Sequence, residues 1–247
     1  MYHYVARSKT GLMAGNPKDA AALWTRLRPL ASGCEAMCLM PNHIHLLTTR
    51  QIRGPLAQVL AGHARSLNHA GGRVRLESVP HCEPCEDPKK IRRQARYIHL
   101  NPCRARLVED PLAWTWSTYR DCIGLSARSV RGPVADIARL HSYVSSDPSV
   151  ATQGSELPNG VPEPNLEQLR AAVSEWLRVP MTHTLRRTPA RRLWLSAAKA
   201  VVPASDSELA RRVGVNRSTL SRTPALSRAE LRPLLQMAGD PRFPGLL

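Results

Sequence analysis

The chain has 247 residues, of which 35 are Lys or Arg and 19 are Asp or Glu, so its formal net charge is +16. This length can bury one good hydrophobic core and a smaller second one, and the positive charge favours a polyanionic partner such as nucleic acid. The sequence has no run of 18 apolar residues and no charged stretch followed by an apolar one near its start. We therefore expect neither a spanning helix nor a signal peptide, no membrane partner, and a cytoplasmic location.

The positive charge falls into two blocks. Residues 1–125 carry 18 basic and 9 acidic side chains and residues 165–247 carry 14 and 6, whereas residues 126–164 carry 3 and 4. A short helix is predicted over 135–144, and the Ser, Pro, Gly and Asn residues of 145–164 are typical of a linker. We therefore predict two modules, 1–125 and 165–247, joined by the short helix and linker of 126–164.

Three elements are predicted at the start of the chain. Tyr2–Arg7 alternates apolar and polar residues, as a strand does. Pro17 suits the first turn of a helix that runs to about Leu30. Glu35–Met40 is almost entirely apolar, which is typical of a central strand.

The next stretch, Met40–Leu47, reads MPNHIHLL and contains two histidines separated by one apolar residue. After the Pro-Asn turn signal we expect a strand, in which His43 and His45 point to one face and Ile44 to the other. The roots of the two imidazoles then lie about 6–7 Å apart, so both can bind one divalent metal ion. On its own, the spacing equally fits two surface histidines on an edge strand.

Two elements follow the histidine strand. A helix is predicted from Gly54 to Gly71-Gly72. Arg73–Val79 alternates and predicts a strand with one basic face. The order strand, helix, strand, strand, helix, strand is the split β-α-β, ferredoxin-like pattern, in which helices cover one face of an antiparallel sheet and leave the other open.

A further helix is predicted from Asp87, with Ile91, Ala95 and Ile98 on one face. Tyr97 and Asn101 are four residues apart, so they lie on the same side of that helix. Together they would present a hydroxyl nucleophile and a neutral oxygen ligand. Taken alone, Tyr97 is more simply interpreted as a half-buried tyrosine and Asn101 as the C-cap of the helix before Pro102.

Three blocks of the sequence occur together and in this order: Met40–Leu47 (MPNHIHLL), Tyr97–Ala105 (YIHLNPCRA) and Trp116–Tyr119 (WSTY). Over residues 1–125 the chain resembles the REP-associated tyrosine transposases, which belong to the HUH single-strand DNA nucleases and transposases. The resemblance implies that a helix crosses the open face of the sheet and brings Tyr97 to a metal site. It also implies hairpins of palindromic single-stranded DNA as the target.

The chemistry expected at this site is transfer of a phosphodiester to tyrosine. Mg²⁺ or Mn²⁺ on His43, His45 and Asn101 would polarise the scissile phosphate. Tyr97 would attack it, leaving a 5′-phosphotyrosine and a free 3′-OH that can be rejoined without ATP. A phenol has a reference pKa of about 10, so it needs the field of the metal or a base. His99 points about 200° around the helix from Tyr97, so it is a poor base, and the base is unassigned.

The sequence departs from the family pattern at several positions. Asn101 stands where some relatives have Gln, and Arg106 stands where a Gly often follows the Arg-Ala pair. The aromatic and Gln positions usual around the Arg73 strand are absent. These differences affect hairpin binding more than chemistry, and they leave open a domesticated protein that transposes nothing. Whether the chain acts as a monomer or a homodimer is also open.

Several basic residues near the tyrosine could track a single-stranded backbone; they are Arg73, Arg75, Lys89, Lys90, Arg92, Arg93 and Arg96. Each could also be an ordinary solvated charge. Trp114, Trp116 and Tyr119 have two interpretations, either as platforms that stack unpaired bases or as an aromatic cluster that closes the domain.

The C-terminal module is predicted to be helical and to bind duplex DNA. Helices are expected over 166–177 and 189–202. Residues 206–222 then predict a helix-turn-helix, with a turn at Gly214 and a second helix capped by Asn216. Such a helix enters the major groove with its N-terminal residues first; the candidates are Asn216, Arg217, Ser218, Thr219 and Arg222. The module resembles the DNA-binding domain of bacterial replication initiators.

Two alternatives to an enzyme are open. In the first, the helix-turn-helix carries the function and the chain is a DNA-binding regulator without strand transfer. In the second, the pair Cys34 and Cys38 and the cluster His81, Cys82 and Cys85 bind structural zinc, as in a zinc-ribbon-like adaptor. Cys34 and Cys38 also fit a buried strand, where a free cysteine acts as a small apolar residue.

Overall fold

The structure is a computed structural model, and it describes residues 1–77, 79–126, 134–151, 164–240 and 242. The protein is of the α+β class. Within the described residues it has an antiparallel sheet of five strands and ten α-helices. The chain divides into two compact units: of the described residues, the first takes in 1–125 and 134–151 and the second takes in 126, 164–240 and 242.

The strands all belong to the first unit and are β1 Tyr2–Thr10, β2 Ala36–Leu39, β3 His43–Thr48, β4 Arg75–Leu76 and β5 His81–Pro84. The helices of this unit are α1 Pro17–Ala31, α2 Arg53–His69, α3 Pro88–Arg104, α4 Tyr119–Cys122 and α5 Ile137–Ser145. The second unit contains α6 Leu166–Leu177, α7 Pro189–Val201, α8 Asp206–Val213, α9 Arg217–Ser221 and α10 Arg228–Ala238.

The sheet has the strand order β2-β3-β1-β4, and β5 also pairs with β1. β1 pairs with β3 over Tyr2–Arg7, so its other edge carries β5 beside Tyr2–Val5 and β4 beside Ser8–Thr10. All of these pairings are antiparallel. β1 is therefore a central strand, and β3 lies between it and β2.

Two strands on the far side of β1 differ from what the sequence predicts. Among the described residues of 73–79, the expected strand forms at Arg75–Leu76. It does not begin earlier because the Asn68 side chain occupies both the N–H and the carbonyl of Val74, at 2.7 and 3.1 Å. The sequence analysis predicts no strand over 81–84, but His81–Pro84 forms β5. Pairing with the exposed edge of β1 outweighs the weak strand propensity of this Pro- and Glu-containing segment.

Side chains alternate across the sheet, and each face packs against different helices. Ile44 and Leu46 of β3 join Leu23 and Leu27 of α1 and Leu56 of α2 in the main core, where each is fully buried. The opposite face packs against α3, where Leu47 and Cys38 belong to one buried cluster with Ile98. β3 therefore lies between α1 and α2 on one side and α3 on the other. This packing fixes the direction in which the β3 histidines point.

The outer edge of β2 is covered by the segment 116–118. Leu39 N–H donates to Trp116 O at 2.8 Å, and Thr118 N–H donates to Met37 O at 2.9 Å. The Thr118 hydroxyl also accepts from Met37 N–H at 2.8 Å. The backbone of this edge strand is therefore saturated by its own chain.

The second unit has its own core of helix-borne apolar residues, including Leu169, Trp194, Leu209, Leu220 and Leu234. Gly214, with φ +70°, ends α8 in the left-handed conformation that glycine adopts without strain. The helices predicted over 166–177 and 189–202 are α6 and α7. α10 was not predicted; it begins with a capping box in which Ser227 and Glu230 bind each other's backbone N–H.

No helix in the described part of the chain is both long and apolar enough to cross a membrane.

Candidate metal and tyrosine site

The two histidines of β3 lie side by side, as the i and i+2 pattern predicted. The ring centroids of His43 and His45 are 5.0 Å apart, and the rings are nearly perpendicular at 88°. Ile44, between them, is fully buried on the opposite face. His45 is only 2% exposed, because α3 covers this face of the sheet.

Helix α3 places Tyr97 directly over the histidine strand. Asp87 caps the helix by accepting from Lys89 N–H at 2.9 Å and Lys90 N–H at 3.2 Å, and Pro88 occupies the first turn. The apolar side of the helix packs on the sheet through Ile98. The Tyr97 ring centroid then lies 5.5 Å from that of His45 with the rings perpendicular, while 36% of Tyr97 stays exposed.

Asn101 completes the group of predicted site residues. It lies one turn after Tyr97, it is 8% exposed, and its side-chain Nδ2 is buried without a hydrogen-bond partner. The pKa of His43 is lowered mainly by burial and next by the positive charge of Arg7, whereas a hydrogen bond from protonated His43 to the Asn101 side chain raises it. The structure therefore brings His43, His45, Tyr97 and Asn101 together.

One ring nitrogen of each histidine lies within hydrogen-bond distance of a neighbouring side chain. His43 Nδ1 lies 2.7 Å from Asn42 Oδ1, which can only accept a proton, so Nδ1 carries it and Nε2 is the lone-pair nitrogen. His45 Nδ1 lies 3.0 Å from His3 Nε2, and His45 Nε2 is buried without a partner. An outer group that fixes one imidazole nitrogen and leaves the other available is the usual arrangement around metal-binding histidines.

The donor set fits a divalent cation. Burial lowers the pKa of His45 to about 3, with smaller contributions from His43, His3 and Arg7, so the imidazole is neutral and able to bind a metal. Two neutral imidazoles and an amide could hold Mn²⁺ or Mg²⁺, with the histidines favouring Mn²⁺.

The cysteines show no comparable arrangement. Among the residues that the structure describes, no three or more His, Cys, Asp and Glu side chains are grouped to hold a metal. Cys34 and Cys38 are buried in the first unit at 1% and 0% exposure. Burial raises the pKa of the Cys85 thiol, which disfavours the thiolate that zinc needs.

Because His45 is buried, we predict that the protein becomes less stable as the pH falls. The folded pKa of His45, about 3, lies below its ordinary value of 6.5, so unfolding takes up a proton below pH 6.5. The contribution of His45 to the free energy of unfolding is therefore complete above pH 6.5 and is lost as the pH falls towards 3. We expect about 2 kcal/mol of this contribution to be lost between pH 6.5 and 5.

The measurement is urea unfolding at several pH values, followed through NMR signals of β1 and β3. His45→Gln should flatten the pH dependence of the unfolding free energy, whereas His69→Gln, at the exposed end of α2, should not. Parallel pH curves for the wild type and His45→Gln would contradict the assignment.

The predicted DNA-contacting residues of the first unit fall into two groups. Arg73, Arg75, Lys89, Arg92 and Arg93 are exposed. Lys90 is paired with Glu83, with the charged atoms 2.5 Å apart. Arg96 lies with its guanidinium 4.5 Å from the Tyr143 ring centroid and 3.6 Å from Asp147 Oδ2, so in this structure it holds α5 against α3.

Three residues near Tyr97 and the histidines were not singled out from the sequence for these contacts. Arg104 lies with its guanidinium 5.2 Å from the Tyr97 ring centroid, and it pairs with Asp147 at 3.0 Å. His3 contacts His45, and Gln94 Nε2 lies 3.4 Å from His3 Nε2. The strand register, which aligns β1 with β3, was the signal that could have found His3.

The aromatic residues after α3 take structural positions. Trp116 packs against Trp24 with ring centroids 6.2 Å apart, and Tyr119 is fully buried with its hydroxyl 2.8 Å from His141 Nδ1. Trp114 Nε1 donates to Leu39 O at 3.0 Å. These contacts favour the aromatic cluster over base-stacking platforms. His99 is 1% exposed and packs near Tyr119, away from the Tyr97 side of the helix.

The predicted DNA-contacting residues of the second unit lie at and after the start of α9. Asn216 precedes the helix and makes no side-chain capping bond, whereas Arg217, Ser218 and Arg222 are exposed. Asn216, Thr219 and Arg222 also line a groove of about 780 Å³ that includes Arg187, Arg191, Arg192 and Arg211 and no acidic residue.

Comparisons of the chain with protein-family models, with curated proteins and with solved structures found no match.

Proposed function

We propose that the first unit is a metal-dependent single-strand DNA endonuclease and transposase of the REP-associated, HUH type, which cleaves and rejoins hairpin DNA through Tyr97. One observation carries this proposal. A tyrosine on α3 lies 5.5 Å, between ring centroids, from the second histidine of an H-x-H strand, although the two are far apart in sequence. Asn101 lies one turn further along the same helix, close to the same pair of histidines.

The sheet supports the same proposal. Its order β2-β3-β1, followed by β4 and β5 on the far side of β1, is the order expected of a ferredoxin-like split β-α-β unit. The two helices that connect the strands pack on one face and α3 on the other. The catalytic group would therefore be assembled on the face that such a unit leaves open.

The proposed reaction exchanges one phosphodiester bond for another. The Tyr97 oxygen bonds to phosphorus while the bond from phosphorus to the 3′ oxygen breaks, and the 5′ side stays on the protein. The phenol loses one proton and the departing 3′ oxygen gains one, so protons balance. Attack by the 3′-OH of another strand on the phosphotyrosine reverses these changes and joins the DNA without ATP.

Each residue has a distinct role in this proposal. His43, His45 and Asn101 would hold the cation, which supplies positive charge where the scissile phosphate accumulates negative charge. Tyr97 is the nucleophile, and Arg104, which is paired with Asp147, packs beside its ring. The exposed residues Arg73, Arg75, Lys89, Arg92 and Arg93 would guide the flexible strand to the site.

The decisive experiment follows both ends of a hairpin oligonucleotide, taken from inverted repeats beside the gene and incubated with Mn²⁺. A 3′ label should become attached to the protein, because the 5′-phosphoryl side stays on Tyr97. A 5′ label should appear on a shorter free strand that a polymerase can extend from its 3′-OH. Hairpin binding with no attached label would instead favour a DNA-binding regulator.

We propose that the second unit binds duplex DNA as a helix-turn-helix. The short turn at Gly214 between α8 and α9 and the exposed polar residues at the start of α9 support this proposal. This unit is also the basis of the regulator alternative, in which the first unit would cut nothing.

Replacing Arg217 with alanine should weaken binding to the preferred duplex, because an arginine at the start of the second helix is placed to contact base edges. The expected loss is about 1–3 kcal/mol, or roughly 5- to 150-fold in Kd. Fluorescence anisotropy on a duplex selected from a random library would measure it. Arg228→Ala, at the exposed first residue of α10, is the matched control and should bind like the wild type.

A further inference from the structure

The contact between His3 and His45 has a consequence for metal binding. His3 lies on β1, opposite Leu47, and His45 lies opposite Val5, so the two histidines are diagonal neighbours on one face of the sheet. His3 Nε2 and His45 Nδ1 are 3.0 Å apart, and the two residues are 6% and 2% exposed. One of these nitrogens must carry the proton that the other accepts.

The direction of that hydrogen bond decides whether His45 can bind a metal. If His45 Nδ1 donates, His45 Nε2 keeps a lone pair, and this is the buried nitrogen without a protein partner. If His3 Nε2 donates, a neutral His45 carries its proton on Nε2, which then has no lone pair for a cation.

Gln94 favours the first direction. Its Nε2 carries N–H groups and lies 3.4 Å from His3 Nε2, so a lone pair at His3 Nε2 is favoured over an N–H there. Gln94 is on α3, one turn before Tyr97, so the same contact joins the tyrosine helix to the histidine pair. His3 is thus bound on both sides, by the strand that carries His45 and by the helix that carries the nucleophile.

We propose that His3 is a positioning residue that accepts the proton of His45 Nδ1 and so holds His45 with an unprotonated Nε2 facing the metal site. This inference rests on the proposed metal site and adds a residue that does not touch the metal or the DNA. His3 acts only through His45, so its loss should change cation affinity without changing the donor set.

The first test is Mn²⁺ affinity, measured by the electron paramagnetic resonance signal of free Mn²⁺ during titration of the full chain. His3→Leu removes the acceptor, and we expect about 10- to 100-fold weaker binding. His3→Gln places a carbonyl oxygen near the position of His3 Nε2, so it should restore most of the affinity. His63→Leu is the matched control, because His63 is also buried and hydrogen-bonded, to Met13 O at 2.7 Å, but lies outside the site.

The second test reads the tautomer directly by ¹⁵N NMR of the histidine side chains without metal. The wild type and His3→Gln should show His45 protonated on Nδ1, and His3→Leu should show a mixture or the Nε2-protonated form. Thermal unfolding of each variant in EDTA separates a folding defect from a site defect.

These outcomes separate the two proposals. A wild-type chain that binds no Mn²⁺ but shows the expected tautomers would overturn the metal site and keep the role of His3. Wild-type affinity in His3→Leu, equal losses in the Leu and Gln variants, or His45 protonated on Nε2 in the wild type would overturn the role of His3.

Discussion

Replacing Tyr97 with phenylalanine should abolish the protein-linked DNA product and the free 3′-OH strand while leaving hairpin affinity unchanged. The variant loses only the oxygen that forms the bond to phosphorus. It keeps the ring that contacts His45 and Arg104, so the local packing should persist. Denaturing gels of a 3′-labelled hairpin with Mn²⁺ measure the product, and gel shifts of the same hairpin measure binding.

Tyr143→Phe is the matched control for this experiment. Tyr143 is exposed to a similar extent, 38% against 36%, and its ring also lies next to an arginine, Arg96. It should form the adduct at the wild-type rate. An adduct that survives in Tyr97→Phe, or that disappears in Tyr143→Phe, would show that Tyr97 is not the nucleophile.

Replacing His43 with alanine should reduce the rate of cleavage by about 10³-fold. The charge of the cation lowers the activation free energy by several kcal/mol, and about 4 kcal/mol corresponds to that factor. His43 is the better first variant because it is only partly buried, whereas His45 is 2% exposed and its loss would also leave a cavity. Single-turnover cleavage of the labelled hairpin at saturating protein measures the effect.

Chelation provides an independent check of the same prediction. EDTA should stop cleavage by the wild type, and added Mn²⁺ should restore it, whereas His43→Ala should stay slow at every Mn²⁺ concentration that supports the wild type. His69→Ala, at the exposed end of α2, should respond like the wild type. Cleavage that persists in EDTA would rule out the metal-dependent mechanism.

Much of the candidate site could be predicted because it depends on local periodicity. The i and i+2 positions of His43 and His45 and the i and i+4 positions of Tyr97 and Asn101 set the face on which each side chain lies, provided that the strand and helix form. The apolar stripe of Ile91, Ala95 and Ile98 correctly predicted which side of α3 meets the sheet.

What could not be predicted depends on long-range pairing. β5 forms because the edge of β1 is available to it, and nothing in the sequence of 81–84 specifies that partner. The role of His3 depends on the register between β1 and β3, and the position of Arg96 depends on Asp147, some fifty residues later in the chain. Such contacts are decided by the tertiary structure, which a local pattern does not contain.

The saturated edge of β2 limits how other chains can associate with this fold. Unpaired edge strands are the usual place where an extended peptide or a second subunit adds a strand. Here Met37 and Leu39 already bind Trp116 and Thr118. A neighbour could extend the sheet at this side only after it displaced residues 116–118, including the Trp116 ring packed against Trp24. Sheets that continue across two copies through β2, and fibre growth from β2, are therefore disfavoured unless the segment first unfolds.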